Sequence, residues 1–193
     1  MRQTVFTTAA ALALAATSAM AAPETYELDP SHSQVVFSYD HLGFSTTYGM
    51  FSGFEGEIMF DQDDPANSSV NVSIPVRSML TGWEKRFQHF MSDDFFGAAE
   101  GDMVTFTSTG IEVTGDTTAD ITGDLTMNGV TKSVVLAAEL NKSDGHPMKD
   151  GQAWAGFDAT TTLKRSEYGM DFAVPAVSDE VEVMISIEAG KAE

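Results

Sequence analysis

SHSQVVFSYDHLGFSTTYGMFSGFEGEIMF, residues 31–60, decides the fold of this chain, because apolar side chains recur at every second position on both sides of a turn. The first half places Val35, Phe37 and Tyr39 on one face, and polar residues occupy most of the other face. The second half has a similar apolar face, made of Tyr48, Met50, Phe54, Ile58 and Phe60. A period of two residues is typical of a β-strand with one dry and one wet face. We therefore predict one strand at about 33–41 and a long, curved strand at about 47–60.

The same alternation returns along the rest of the chain, which indicates an all-β fold. Further strands are predicted at about 69–76, 103–113, 118–127, 130–136, 153–165 and 180–189. Asn128-Gly129 is the strongest two-residue hairpin signal in the chain, because both central positions of a type I′ turn need positive φ. This turn sets Leu125 opposite Lys132 across the hairpin. The polar segment Asn141–Gly151 is predicted to be a loop.

One segment changes its period. Trp83, Phe87, Phe90 and Met91 are three or four residues apart, with polar and charged residues between them, which predicts one short helix at about 82–92. We expect its aromatic stripe to pack on the core as a lid or plug rather than to form a cofactor site. Two further rings follow in Asp93–Phe96 and are expected to anchor this segment at the rim of the fold.

The first 21 residues have the pattern of a secretory signal peptide. Arg2 supplies a positive start, Ala9–Ala16 is a short apolar run, and Ala19-Met20-Ala21 fits the cleavage rule. The run falls short of the roughly 20 apolar residues that a membrane-spanning helix needs. We therefore predict a signal peptide at 1–21, one domain at 22–193, and export to the periplasm.

Composition excludes several function classes. The chain has 29 acidic and 10 basic residues, and its net charge of −19 repels phosphate backbones, which argues against nucleic acid as a partner. It has no cysteine, which excludes disulfides, thiol catalysis and thiolate metal sites.

Strands with one apolar and one polar face, accompanied by only one helix, must bury their apolar faces against one another. They do so in a closed barrel or in a sandwich. The interior of an eight-stranded barrel is either filled by side chains or holds one small ligand. The dry faces here mix Gly, Ala and Thr with aromatic rings and Met, which favours an apolar cavity. A packed barrel without a ligand is the alternative.

The four histidines do not suggest a catalytic or metal site. No HxxxH or HxH spacing occurs, and we expect His32 and His41 to form hydrogen bonds near strand ends instead. Ser31-His32-Ser33 is not a nucleophile elbow, and the chain has no Gly-x-Ser-x-Gly. We therefore predict no catalytic residue, no metal site and no cofactor.

Several short motifs follow one another along nearly the whole of the expected mature chain. They are Tyr26-x-Leu28-Asp29 with His32-Ser33, Val36-Phe37-Ser38, His41-Leu42-Gly43, Gly49-x-Phe51 through Phe54-x-Gly56, Asp93–Phe96, Phe106-x-Ser108-Thr109, Gly123–Thr126 with Asn128–Lys132, and Gly156-Phe157 leading to Leu163–Ser166. In this order and spacing they resemble the YceI-like family, exported bacterial proteins with a lipocalin-like barrel that bind polyisoprenoid or other long-chain amphiphiles. The chain differs from the family at one point: Arg86-Phe87 and His89-Phe90 stand where the family commonly has Arg-Asp and His-Leu.

The resemblance implies an eight-stranded antiparallel, lipocalin-like barrel with a long apolar tunnel, an isoprenoid tail inside and a polar head near the mouth. Lys132, Arg86 and Arg165 are the candidates for contact with the head group, although Lys132 has the alternative of extending from the rim to solvent. Together with the strand faces, the resemblance makes the following residues candidates for the tunnel wall: Val35, Phe37, Tyr39, Met50, Phe54, Ile58, Phe90, Phe106, Leu125, Met127, Phe157, Leu163 and Ile185.

From the sequence and the resemblance we predict that the protein is a non-catalytic periplasmic carrier for a long-chain isoprenoid lipid, either a polyprenyl phosphate or a quinone. Two alternatives stay open: an accessory protein that handles a quinone in membrane redox or stress response, and a structural barrel without a ligand. The hypothesis also allows transient contact with the membrane or a membrane protein, and a homodimer.

Overall fold

The computed structural model describes residues 22–193, which form an antiparallel barrel with one α-helix. The helix, α1, spans Glu84–Phe90, and the predicted signal peptide lies outside the described residues. No helix within residues 22–193 is long and apolar enough to cross a membrane. The strands are β1 (Glu24–Leu28), β2 (Gln34–His41), β3 (Ser45–Phe51), β4 (Glu55–Phe60), β5 (Ser69–Pro75), β6 (Met103–Val113), β7 (Thr118–Met127), β8 (Val130–Gly145), β9 (Ala153–Lys164) and β10 (Glu180–Lys191).

These ten strands fill eight positions of a closed barrel. Neighbours pair in the order β1-β4-β5-β6-β7-β8-β9-β10, and β1 pairs with β10 to close the ring. β2 continues the position of β1, because β10 pairs with β1 at residues 189–191 and with β2 at residues 182–186. β3 pairs with β2 as β4 pairs with β1, so β3 continues the position of β4. The predicted eight-stranded antiparallel barrel with one short helix is confirmed.

The prediction of one continuous strand at 47–60 was wrong. The segment Ser52–Phe54 separates β3 from β4, and Gly53 there has φ +72°, outside the extended region. The break shifts the alternation by one residue, so the inner face of β3 carries Thr47 and Phe51 rather than Tyr48 and Met50.

The Asn128-Gly129 turn has the predicted geometry. Both residues have positive φ, 53° and 71°, and Leu125 lies opposite Lys132. The loop predicted at 141–151 was too long, because β8 continues to Gly145 and leaves a turn at 146–152. In this last part of β8 neither face is buried, so the sequence shows no alternation from which to predict a strand.

The helix packs on the core as a lid, as the sequence predicts, although it is shorter than the predicted 82–92. Phe87 and Phe90 pack against a cluster of buried residues that includes Phe37, and Met91 belongs to that cluster. Gly49 lies against the Phe37 ring, so that a Cβ at this position would overlap the ring. The same relation holds between Gly123 and Phe106, and these rings therefore lie close to the barrel wall.

Candidate functional site

An apolar cavity of about 850 Å³ occupies the inside of the barrel. Each of the strands β2–β10 contributes inward-facing residues to its wall, and most of these are aliphatic or aromatic. The cavity extends from Trp83 and Lys85, at the start of α1, to Asp116–Thr118 at the β6–β7 turn. Its volume lies in the upper part of the usual range for ligand pockets, which is about 300–1,000 Å³. A cavity of this shape and lining suits a long hydrocarbon chain.

The structure brings together all but one of the residues predicted to form the tunnel wall. Met50 is the exception, because the break at Ser52–Phe54 turns it away from the cavity and its backbone bridges to Leu80 instead. The prediction for Met50 was therefore wrong, and the binding role of the others stays a prediction. The residues that line the cavity as expected are Val35, Phe37, Tyr39, Phe54, Ile58, Phe90, Phe106, Leu125, Met127, Phe157, Leu163 and Ile185.

Sequence reasoning missed part of the lining. Phe51 lies on the inner face of β3. A strand break predicted at Gly53 would have shifted the alternation and assigned Phe51 to that face. Phe96, Met170 and Phe172 also line the cavity, but they lie in irregular segments where no periodicity points to an inner face.

Aromatic rings close the cavity at the α1 end. The Phe90 ring lies 6.2 Å from the rings of Phe37 and Tyr39 and 5.0 Å from Phe95, centroid to centroid. Phe95 in turn lies 5.9 Å from Phe172, on the connection between β9 and β10. Edge-to-face pairs of this kind add stability beyond the area they bury. The helix and the connection 165–179 therefore form one aromatic plug over the barrel.

Arg165 is buried and holds the β9–β10 connection in place. Its Nε, Nη1 and Nη2 atoms donate four hydrogen bonds of 2.6–3.0 Å, and the acceptors are the backbone carbonyls of Met170, Phe172, Val177 and Ser178. Burial lowers the pKa of the guanidinium, and Asp179 opposes this shift. Four of its five N–H donors are thus engaged, and the geometry gives Arg165 a structural role at the wall rather than free donors for a head group.

Arg86 has free donor capacity at the same end. It is half-buried, lines the cavity, and donates one hydrogen bond of 3.0 Å from Nη1 to the carbonyl of Thr81. Lys85 lines the cavity beside it. Lys132 lies opposite Leu125 as predicted, but it is exposed and is not part of the cavity lining, which fits its alternative position at the rim.

The charges that line the cavity are unevenly distributed. The arginine and lysine residues of the lining lie on α1 and directly after β9, beside the aromatic plug. The acidic residues lie on or near the β6–β7 turn: Asp116 is in the turn, Glu139 pairs with Thr118, and Asp158 pairs with Glu139. The positive charges of the cavity lining are therefore concentrated at the α1 end.

His32 belongs to a polar cluster outside the cavity. Its Nδ1 lies 3.1 Å from the carboxylate of Asp29, which also accepts hydrogen bonds from Ser31. Burial by itself raises the pKa of Asp29, but these hydrogen bonds outweigh it and lower the pKa to about 2. Asp29, His32 and Glu188 each offer one possible metal-ligand atom, and these three atoms lie within 4.8 Å of one another. One oxygen of Glu188 accepts a hydrogen bond from Trp154. The contacts of His32 agree with the expected hydrogen bonding near a strand end.

His41 differs from that expectation. Among residues 22–193 its imidazole forms no hydrogen bond, and its backbone bridges to Val177 instead. It lines the cavity at the α1 end.

Comparison with known proteins agrees with this architecture. The family model described as the YceI-like domain matches residues 26–189. The protein YceI of Escherichia coli O157:H7 is 40% identical over 181 residues, which cover 94% of this chain and 93% of that protein. A crystal structure of the Campylobacter jejuni YCEI protein has 31% identity and a TM-score of 0.72, over 80% of this chain and 90% of that chain.

A more distant structure has the same fold. It is described as a polyisoprenoid binding domain from Saccharophagus degradans implicated in plant cell wall breakdown, and it has 15% identity and a TM-score of 0.67. The similarity covers 86% of this chain and 98% of that domain. Because the family model matches residues 26–189 and a 40% identical relative covers 94% of the chain, this chain belongs to the YceI-like family.

Proposed function

We propose that this protein is a non-catalytic carrier that holds a long-chain isoprenoid lipid, either a polyprenyl phosphate or a quinone, inside its barrel in the periplasm. The observation that carries the proposal is the apolar cavity of about 850 Å³ with cationic groups at one end. The description of the Saccharophagus domain as polyisoprenoid binding supports the choice of ligand class. The signal-peptide pattern at 1–21 supports the location.

Burial of the tail supplies the binding free energy. Removing apolar surface from water stabilises a complex by about 25 cal/mol per Å², so a tail that buries about 400 Å² gains on the order of 10 kcal/mol before the costs of association. A lipid can therefore be held without a strong polar contact. The head group then sets the orientation of the ligand rather than most of its affinity.

In this proposal the head group of the lipid binds at the α1 end of the cavity. Arg86 retains N–H donors there, Lys85 lies next to it, and Arg165 adds a buried positive charge although its own donors are largely engaged. At the opposite end Asp116 and Glu139 repel a phosphate. A phosphate or a quinone carbonyl therefore binds beside α1, with the tail extending toward the β6–β7 turn.

A titration with two ligands of matched tail length, a polyprenyl phosphate and a ubiquinone, tests the proposal. Arg86→Met is expected to weaken binding of the phosphate about tenfold to a hundredfold, because it removes a charge-assisted hydrogen bond, and to affect the quinone less. Lys142→Met is the control, since it removes a positive charge from an exposed position near the opposite end of the barrel, outside the cavity lining. The proposal fails if the wild type binds neither ligand, and the head-group assignment fails if both variants lose affinity equally.

A further inference from the structure

Exposed apolar side chains cluster around the α1 end of the cavity. Leu42 and Phe44 lie in the β2–β3 turn, Leu80 and Trp83 precede α1, and Phe172 lies on the β9–β10 connection. Phe44 is 88% exposed, Trp83 59% and Leu80 56%, and the other two are close to half exposed. We call these five residues the mouth surface.

Backbone pairing and the cavity itself bring these segments together. His41 bridges to Val177, which joins the β2–β3 turn to the β9–β10 connection, and Met50 near the other end of β3 bridges to Leu80. Trp83 and Phe172 line the cavity directly. His41 and Ser45, which flank the β2–β3 turn, line it as well, so the mouth surface lies around the end of the cavity that the aromatic plug closes.

Within residues 22–193, the exposed large apolar residues outside the mouth surface lie on several strands: Tyr48 on β3, Val113 on β6, Val135 on β8 and Met184 on β10. Met148, 86% exposed, lies in the β8–β9 turn at the other end of the barrel. Single exposed apolar residues are ordinary on protein surfaces, whereas a contiguous patch marks a contact site.

We propose that the mouth surface inserts shallowly into a lipid bilayer, so that the plugged end of the cavity faces the acyl-chain region. This inference rests on the proposed function, because a lipid that passes directly from bilayer to cavity keeps its tail out of water. Trp and Phe side chains protruding from turns suit the boundary between head groups and acyl chains. Lys85 and Arg86 follow Trp83 after Glu84 and lie where lipid phosphates would be.

Charge determines the kind of bilayer that the mouth surface prefers. Without Arg2 the chain is one unit more negative than its −19, so the barrel as a whole is repelled by an anionic surface. Insertion of apolar side chains, rather than attraction between charges, therefore drives the contact. Binding is stronger to zwitterionic than to anionic vesicles, and added salt weakens binding to zwitterionic vesicles little.

Vesicle flotation tests the proposal, with the secreted full-length protein and vesicles of phosphatidylcholine, alone or mixed with phosphatidylglycerol. The variant that combines Leu42→Ser with Phe44→Ser removes two members of the mouth surface from the same turn, and neither of them lines the cavity. It is expected to lower the vesicle-bound fraction at least about tenfold, because each apolar side chain adds to the partition free energy. Met148→Ser is the control, matched in exposure and located at the opposite end, and its binding equals that of the wild type.

Binding of a detergent-solubilised polyprenyl phosphate, measured without vesicles, separates the two proposals. The double variant keeps this binding if it loses only the membrane contact. Vesicle binding that is absent in the wild type, unchanged in the double variant, or equally lost in Met148→Ser overturns the inference, while binding of the solubilised lipid leaves the carrier function standing. A dimer that becomes a monomer in the double variant also overturns it, since the mouth surface is then an interface between two copies of the chain.

Discussion

Replacing Arg165 by methionine is expected to destabilise the fold far more than the same change at Arg86. The Arg165 guanidinium donates to four backbone carbonyls at 2.6–3.0 Å, and its side chain is buried. Methionine has a similar length but no donor, so the variant leaves these carbonyls without their partner.

The expected cost follows from where the carbonyls lie. Met170 is 3% exposed, so its carbonyl loses its hydrogen bond without gaining water, at about 1–3 kcal/mol. The acceptors on Phe172, Val177 and Ser178 are only partly buried, and water replaces some of what they lose. Relief of the buried charge offsets part of the total. We expect a loss of about 3 kcal/mol in the free energy of unfolding.

Urea denaturation followed by circular dichroism measures this loss. With a slope of about 2 kcal/mol per molar, a loss of about 3 kcal/mol lowers the midpoint by about 1.5 M. Arg165→Lys keeps the charge but not the planar fork, and it recovers only part of the stability. Arg86→Met is the matched control, because Arg86 donates only one hydrogen bond, and its midpoint changes by less than about 0.5 M.

A loss below about 1 kcal/mol in Arg165→Met means that these hydrogen bonds do not stabilise the β9–β10 connection, because four backbone carbonyls without a partner cost more than that. Full recovery by Arg165→Lys contradicts the hydrogen-bonding role as well, because charge alone would then account for the role of Arg165.

Two further predictions concern pH and the cavity wall. Because the folded pKa of Asp29 is about 2, below its ordinary 3.8, its carboxylate contributes stability above pH about 4 that is lost as the pH falls toward 2. Asp29→Asn is therefore expected to lower the free energy of unfolding at pH 7 by on the order of 1–2 kcal/mol, with the difference from wild type vanishing near pH 2; a difference independent of pH in urea melts contradicts the assignment. Gly49→Ala places a Cβ in the Phe37 ring and is expected to cost about 1–3 kcal/mol and to weaken lipid binding as the ring moves into the cavity, whereas Gly156→Ala, with ordinary contacts, changes both little. Equal thermal stability of the two glycine variants rules out the close packing of Gly49 against Phe37.

The strand faces and the hairpin at Asn128-Gly129 could be predicted because they depend on local rules. A period of two assigns a face to every residue of a regular strand, and a type I′ turn fixes the register of its two strands. Alternation alone does not say which face is inside. The closed ring of strands answers that question by turning the face with Phe37, Leu125 and Phe157 toward the cavity.

The positions that sequence reasoning missed depend on interruptions and on distant contacts. A single break at Gly53 moved Met50 from the inner to the outer face, because a shift by one residue reverses every side chain of a strand. The role of Arg165 was missed for a different reason. Its acceptors lie 5 to 13 residues away on a connection without periodicity, and nothing in the local sequence shows that the connection folds back over the side chain.

Native mass spectrometry of the protein purified from its own host shows whether the barrel carries a lipid. We expect the folded protein to carry an additional mass, and extraction of the bound material to give an isoprenoid lipid with a polyprenyl phosphate or quinone head group. Replacing Ala159, a small residue of the cavity wall, by phenylalanine is expected to reduce the bound fraction. A folded protein that carries no lipid when isolated from its host, or one that carries only a polar metabolite, contradicts the proposed carrier function.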